Sequence, residues 1–292
     1  MTTNQPKRFQ AQGKSVLVTG CSSGIGRATA LHLARQGFSV FASVRREADA
    51  ESLRKLQEPN LIPICPLDLT KPEQIPSVMA TVAAESERRG QNGLYALVNN
   101  AGAGSIAPIE LLDLEGFRME LEARLLGTLA LVQACLPLLR KAAGRIVWVT
   151  TPAIIPTPYV TSIHACDFAV NCIARTLDIE LKPWNIPVSM VRCGGIRTRA
   201  GMNTLPAIAA LLDQAPSDRA ALYRPALQAW GREMAAFDQK RTEPEAVAGL
   251  IHRALAARTP GRRYAVGHMA GAAGFLESLP QPLADWILKK RF

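Results

Sequence analysis

Short β-branched apolar runs alternate along this chain with segments whose apolar positions recur three and four residues apart. The first run, Ser15-Val16-Leu17-Val18-Thr19, is continuous, as a strand buried on both faces must be, and it stops at Gly20. Ala28, Leu31, Leu33 and Ala34 then share one side of a helix that ends at Gly37. Further strands are predicted over residues 38–44, 61–67, 94–99, 145–150, 187–192 and 263–267, and helices over 72–88, 116–140, 164–181 and 244–257. Seven strands with crossover helices predict an α/β fold, a doubly wound, parallel, seven-stranded sheet.

The stretch 196–240 breaks the rhythm. It is too long for an ordinary connection and rich in Ala, Leu and Arg, so a helical lid over the carboxyl ends of the strands is expected. At 292 residues and 48% hydrophobic, the chain suits a single domain over 1–292. Its core is expected over 14–195 and 241–267, followed by a tail from 268 to 292. In that tail Leu283, Trp286 and Ile287 stand at helical spacing before Lys289, Lys290 and Arg291, and docking onto the body is expected rather than a membrane foot. The polar start, Met1 to Gln12, and the absence of long uncharged apolar runs point to a soluble, cytoplasmic protein with no membrane span.

Composition narrows the partners. Six cysteines without metal-type spacing are expected as buried thiols, with no metal site. The net charge of +10 comes from scattered cations, which argues against nucleic acid and for an anionic cofactor with a small-molecule substrate.

Thr19-Gly20-Cys21-Ser22-Ser23-Gly24-Ile25-Gly26 joins the first strand to the first helix, where glycines let backbone N–H groups approach a pyrophosphate. With Asp68 after the third strand and Asn99-Asn100-Ala101-Gly102 after the fourth, the chain resembles the short-chain dehydrogenase/reductase family over roughly 14–267. Its wording is similar to the 17β-hydroxysteroid and retinol dehydrogenase branch. The resemblance implies a Rossmann-type fold and a nicotinamide cofactor lined by Gly20, Ser22, Ser23, Gly24, Ile25, Gly26, Asp68, Asn99, Ala101, Gly102, Asp167, Gly194, Ile196 and Thr198. Arg45 and Arg46 at the end of the second strand would welcome a 2′-phosphate, so NADP(H) is expected. A homodimer or homotetramer, paired through helices 116–140 and 164–181, is also implied by the resemblance.

The catalytic positions carry over differently. The family's serine falls on Thr151, its tyrosine on Ile163, its lysine on Asp167 and its helix-four asparagine on Arg124. Loss of a placed acid/base group costs about 10²–10⁴ in rate, so ordinary ketone reduction should be slow or absent. Tyr159 and His164 lie near Ile163 in sequence, but His164 is turned about 100° around the helix from the old catalytic face. Arg124 and Asp167 are expected to pair, in a structural or a catalytic role. An isolated carboxylate about 6 Å from the nicotinamide would favour the oxidised ring by about 2–3 kcal/mol at an effective dielectric near 20, before Arg124 offsets it. Three readings follow. One is a repurposed enzyme, with Asp167, Arg124 and Thr151 serving hydride transfer to an iminium or a non-redox isomerisation or cyclisation. Another is a pseudoenzyme that keeps NADP(H) as a structural or sensing ligand. The third is an ordinary carbonyl/alcohol oxidoreductase with a relocated acid.

Overall fold

The computed structural model describes residues 9–152, 156–202 and 204–291. Its strands are β1 (Ser15–Val18), β2 (Ser39–Ser43), β3 (Leu61–Ile64), β4 (Ala96–Asn99), β5 (Arg145–Thr150), β6 (Val188–Cys193) and β7 (Arg263–Val266). All pair in parallel in the order β3-β2-β1-β4-β5-β6-β7. The chain runs outward from β1 to β3 and returns to start the other half at β4. A crevice therefore opens beyond the carboxyl ends of β1 and β4, where doubly wound sheets bind ligands.

The helices are α1 (Gly24–Arg35), α2 (Glu47–Arg54), α3 (Ile75–Arg88), α4 (Leu114–Leu121), α5 (Gly127–Ala142), α6 (Thr161–Glu180), α7 (Arg199–Met202), α8 (Thr204–Gln214), α9 (Ser217–Asp238), α10 (Pro244–Ala256), α11 (Ala270–Ser278) and α12 (Gln281–Arg291). They cover both sheet faces, which is why the central strands read as unbroken apolar runs. Val16, Val18, Ala96 and Val98 pack toward α1 and α10, in a cluster with Ala30, Leu33, Val247 and Ile251. Leu17 and Leu97, one residue out of phase, join Val78, Leu131, Cys135 and Val170 of α3, α5 and α6. Burying each such Leu or Val contributes about 1.5–3 kcal/mol, so this two-sided core fixes strand register.

Several elements depart from the sequence expectation. The helix expected over 116–140 is interrupted by a π-helical segment, Glu122–Leu126, between α4 and α5. A π segment rotates everything before it relative to everything after it, so Arg124 does not follow simple 3.6-residue phasing. Helix α6 starts at Thr161, a turn earlier than the periodicity indicated, and α2 went unread because its buried stripe is just Ala50 and Leu53. The 196–240 stretch is helical, as expected. It holds α7, α8 and α9, with a small core of Ile208, Leu212, Ala220, Leu227 and Trp230 that also takes in Ile106, Tyr159 and Val160.

Two apolar stretches bear on the surface. Leu114–Ala142 is long and apolar enough to cross a membrane by length and composition. Its α5 part lies against the sheet through Leu131, Val132, Cys135 and Leu139. Tail docking holds for α11, which packs on β7, but α12 packs closely on α11 and none of its described residues is buried.

Candidate cofactor and active site

The loop between β1 and α1 is built to leave donors open. Gly20 and Gly24 have φ of 72° and 55°, a left-handed backbone that glycine adopts without strain. Gly26 permits close packing, since a Cβ there would stand 2.2 Å from the Gly20 carbonyl oxygen. Ser23 caps α1 in an extended conformation without a side-chain hydrogen bond, and the first turn carries no acid, so its N–H groups face outward with the positive end of the helix dipole. Ser22 is exposed and Ile25 half-buried. The cradle fits a pyrophosphate.

Asn100, a residue the sequence reading passed over, anchors this loop to β4. Its side-chain amide donates to the Thr19 carbonyl at 2.9 Å, while the N–H groups of Asn100 and Ala101 both donate to Thr19 Oγ1 at 2.9 Å. Asn99 stands instead inside the strand, 4% exposed, opposite Trp148 of β5, with both amide atoms buried and unpartnered. Asp68 receives the Thr70 N–H and hydroxyl on one oxygen, at 3.1 and 2.9 Å. On the far side of the crevice a Cβ on Gly194 would meet the His268 carbonyl at 2.1 Å, Ile196 is buried, and the Thr198 methyl lies beside Gly24. Gly20, Gly24 and Gly26 thus lie together with Asn100 and Ala101 after β4 and with Thr198 after β6, while Asn99 is buried within β4.

The two arginines after β2 have different fates. Arg46 grips Asp49 with two hydrogen bonds, at 2.8 and 3.0 Å. That grip holds the Asp49 carboxyl below its usual range, with Arg199 and Arg45 adding attraction. Arg45 is exposed at the strand end. Arg45 and Arg199 thus bias this corner toward anions, while Arg46 is neutralised by Asp49.

At the other end of the crevice, Arg124 and Asp167 do pair. Arg124 Nη2 donates to Asp167 Oδ1 at 2.5 Å, with side chains 13% and 3% exposed. The other carboxylate oxygen accepts the Thr151 N–H at 2.9 Å and the Thr151 hydroxyl at 2.5 Å. Arg124 also donates to the Ala103 carbonyl and lies against Gly102. Three donor groups converge on one carboxylate, and the pair carries no net charge, so the field that an isolated Asp167 would exert on the crevice is largely cancelled. Behind it, burial first and Asp167 second push the Cys193 thiol up to about 12, leaving it unreactive.

Ile163 is pressed under the loop after β4. A Cβ on Gly104 would stand 2.1 Å from Ile163 Cγ1 and 3.3 Å from Glu120 Oε2. Glu120 accepts a short hydrogen bond from the Ser105 hydroxyl, while its other oxygen is buried without a partner. Three of the four tyrosines have their hydroxyls bonded elsewhere, and the fourth packs its ring in the lid core. Tyr95 donates to the Leu255 carbonyl and Tyr223 to Glu110, Tyr264 accepts the Gly261 N–H, and Tyr159 turns its ring edge-on to Trp230.

Comparison with known proteins agrees with the fold. A profile described as short chain dehydrogenase matches residues 14–208. The chain belongs to the short-chain dehydrogenase family. It is 31% identical to the 11-beta-hydroxysteroid dehydrogenase type 2 of Bos taurus over 302 residues, 99% of this chain and 73% of that protein. A short-chain dehydrogenase from Streptomyces avermitilis superposes with a TM-score of 0.74 at 26% identity, covering 95% of this chain and 97% of that one. One from Burkholderia cenocepacia, solved in complex with NADP, superposes with a TM-score of 0.73 at 22% identity, covering 96% and 99%.

In this short-chain dehydrogenase the residues that sequence reasoning missed are Asn100, Glu120, Ser105 and Trp230. Glu120 had a signal, standing four positions before Arg124 where two polar side chains share a helix face. Trp230 had none, because its burial depends on how α9 folds back over Tyr159.

Proposed function

We propose that the chain binds NADP(H) in the crevice and acts on a small organic substrate by a hydride transfer that does not require a tyrosine, as to an iminium carbon. The observation that carries this reading is the closed Arg124–Asp167–Thr151 cluster beside a fully formed phosphate cradle. When bound, the nicotinamide supplies the hydride donor or acceptor. Gly20 through Gly26 and the α1 N-terminus hold the phosphates, and Arg45, with Arg199 nearby, favours a 2′-phosphate. Asp167 fixes the ends of β5 and α6 through Thr151 and holds Arg124 beneath the Gly102–Ser105 loop. Neither Asp167, whose oxygens are occupied, nor Ile163 delivers a proton, so a substrate that leaves no oxyanion to be protonated suits the site. The apolar cluster that α8 and α9 form with Ile106, Tyr159 and Val160 would supply the substrate wall, and the buried, unpartnered Trp230 indole N–H would offer it one donor.

The test pairs titration of NADPH fluorescence with turnover of a panel of ketones, aldehydes and imines. NADPH binding with turnover of imines is expected, and ketone turnover at the rate of the imines would remove the basis of the reading. The same saturated carboxylate also suits a pseudoenzyme that keeps the nucleotide as a ligand. NADPH binding without oxidation across the panel selects that second reading.

A further inference from the structure

Helix α12 has an apolar side that the described residues cover only in part, Ile287 being half-buried and Leu283 and Trp286 exposed. Leu283, Trp286 and Ile287 recur at three- and four-residue spacing, and Leu283 and Trp286 are 45% and 54% exposed. The one helix it packs closely upon, α11, leaves Phe275 65% exposed in turn. Lys289, Lys290 and Arg291 follow in succession, and Lys290 Nζ lies 4.1 Å from the centre of the Trp286 ring, so aromatic and cation share one side of the helix. A tryptophan placed between an aliphatic stripe and a block of cations matches the chemistry of a bilayer boundary. The indole sits at headgroup depth, Leu and Ile reach the acyl chains, and ammonium groups meet lipid phosphates.

We propose that α12 is an interfacial anchor that docks the protein on the surface of an anionic lipid bilayer. Eleven residues are far too few to span the hydrocarbon, so the helix lies in the boundary plane. A contact between two copies of the helix would gain nothing from its C-terminal cations, so it accounts for the apolar side but not for the charge beside it. A lipid surface with negative headgroups turns the same cations into attraction, and the chain's net charge of +10 adds to it.

The experiment uses the full chain with sedimenting vesicles of phosphatidylcholine alone, or of phosphatidylcholine mixed with phosphatidylglycerol. Binding to the mixed vesicles and little to the neutral ones is expected, and it should weaken at high salt. Each cation near such a surface is worth about fivefold in partition, so reversing two of them with K289E and K290E together should lower binding by more than tenfold. L283S with W286S should also abolish it, while NADPH affinity and melting temperature stay at wild-type values in both variants, showing that the body is folded. Equal recovery with neutral and anionic vesicles, or wild-type recovery of both variants, would overturn the proposal. So would an absence of vesicle binding together with a dimer that L283S and W286S dissociate, which would assign the face to a second copy.

Discussion

Asp167 carries the residue-scale argument, because a buried carboxylate bonded to Arg124 and Thr151 becomes a liability once any partner leaves. Removing one side of a buried ion pair strands the other and costs roughly 3–5 kcal/mol. Asp167→Ala is therefore expected to lower the denaturant midpoint severely, and Arg124→Leu added to it should restore most of the loss. Equal stability of the single and double variants would mean that the pair holds nothing in place. The same geometry governs reinstatement of carbonyl chemistry. Ile163→Tyr with Asp167→Lys alone places an ammonium against Arg124, so measurable NADPH-dependent ketone reduction is expected when Arg124→Asn is added as a third change. Activity in the double variant equal to that in the triple would contradict this account of Arg124. Gly104 sets a further constraint, since its missing Cβ is the space that Ile163 fills. Gly104→Ala should cost about 1–3 kcal/mol through overpacking, and Ile163→Ala should relieve it in a double-mutant cycle.

At the scale of elements, α1 and α10 meet through a histidine pair. His32 Nε2 and His252 Nδ1 are 3.3 Å apart, and the edge of one ring of the Phe38–His252 pair faces the other. Burial lowers both histidines below the usual 6.5, with Arg35 lowering His32 further and His32 lowering His252. The folded state thus resists protons that the unfolded chain accepts. Stability is complete above about pH 6.5 and falls as pH drops below it, until the folded-state rings also titrate. Urea midpoints measured across that range should decline on the acid side, and His252→Gln should flatten the slope contributed by the pair. On the other face, Leu126 of the π segment and Phe168, Cys172 and Ile179 of α6 are exposed. The α6 residues follow one another at four- and seven-residue steps, a stripe suited to a partner helix. A dimer through α5 and α6 is expected in solution, and Phe168→Glu should shift sedimentation toward monomer.

For the molecule as a whole, ligand linkage tests the crevice without knowledge of the substrate. A nucleotide present at a hundredfold its dissociation constant stabilises the fold by about 2.7 kcal/mol, so NADPH should raise the melting temperature well above NADH at equal concentration. Arg45→Ala should remove most of that difference, and an unchanged preference would move 2′-phosphate recognition elsewhere. Seven parallel strands, the crossover helices other than α2, the glycine loop after β1 and the helical character of 196–240 were legible in the sequence, because each has a local signature in spacing, in glycine placement or in the end of a periodic run. The chain itself also raised the expectation that Ile163, Asp167 and Arg124 stand where the family resemblance places a phenol, an amine and an amide. Tertiary structure alone decided what those residues do to one another. Asp167 finds Arg124 43 positions away and Thr151 16 positions away, on an interrupted helix and a strand end. It likewise buried Asn99 within β4, bonded Asn100 to the loop after β1, and left Leu283 and Trp286 of α12 exposed beside α11. Such outcomes depend on how helices cross the sheet and where a π segment shifts their phase, and local periodicity carries no record of either.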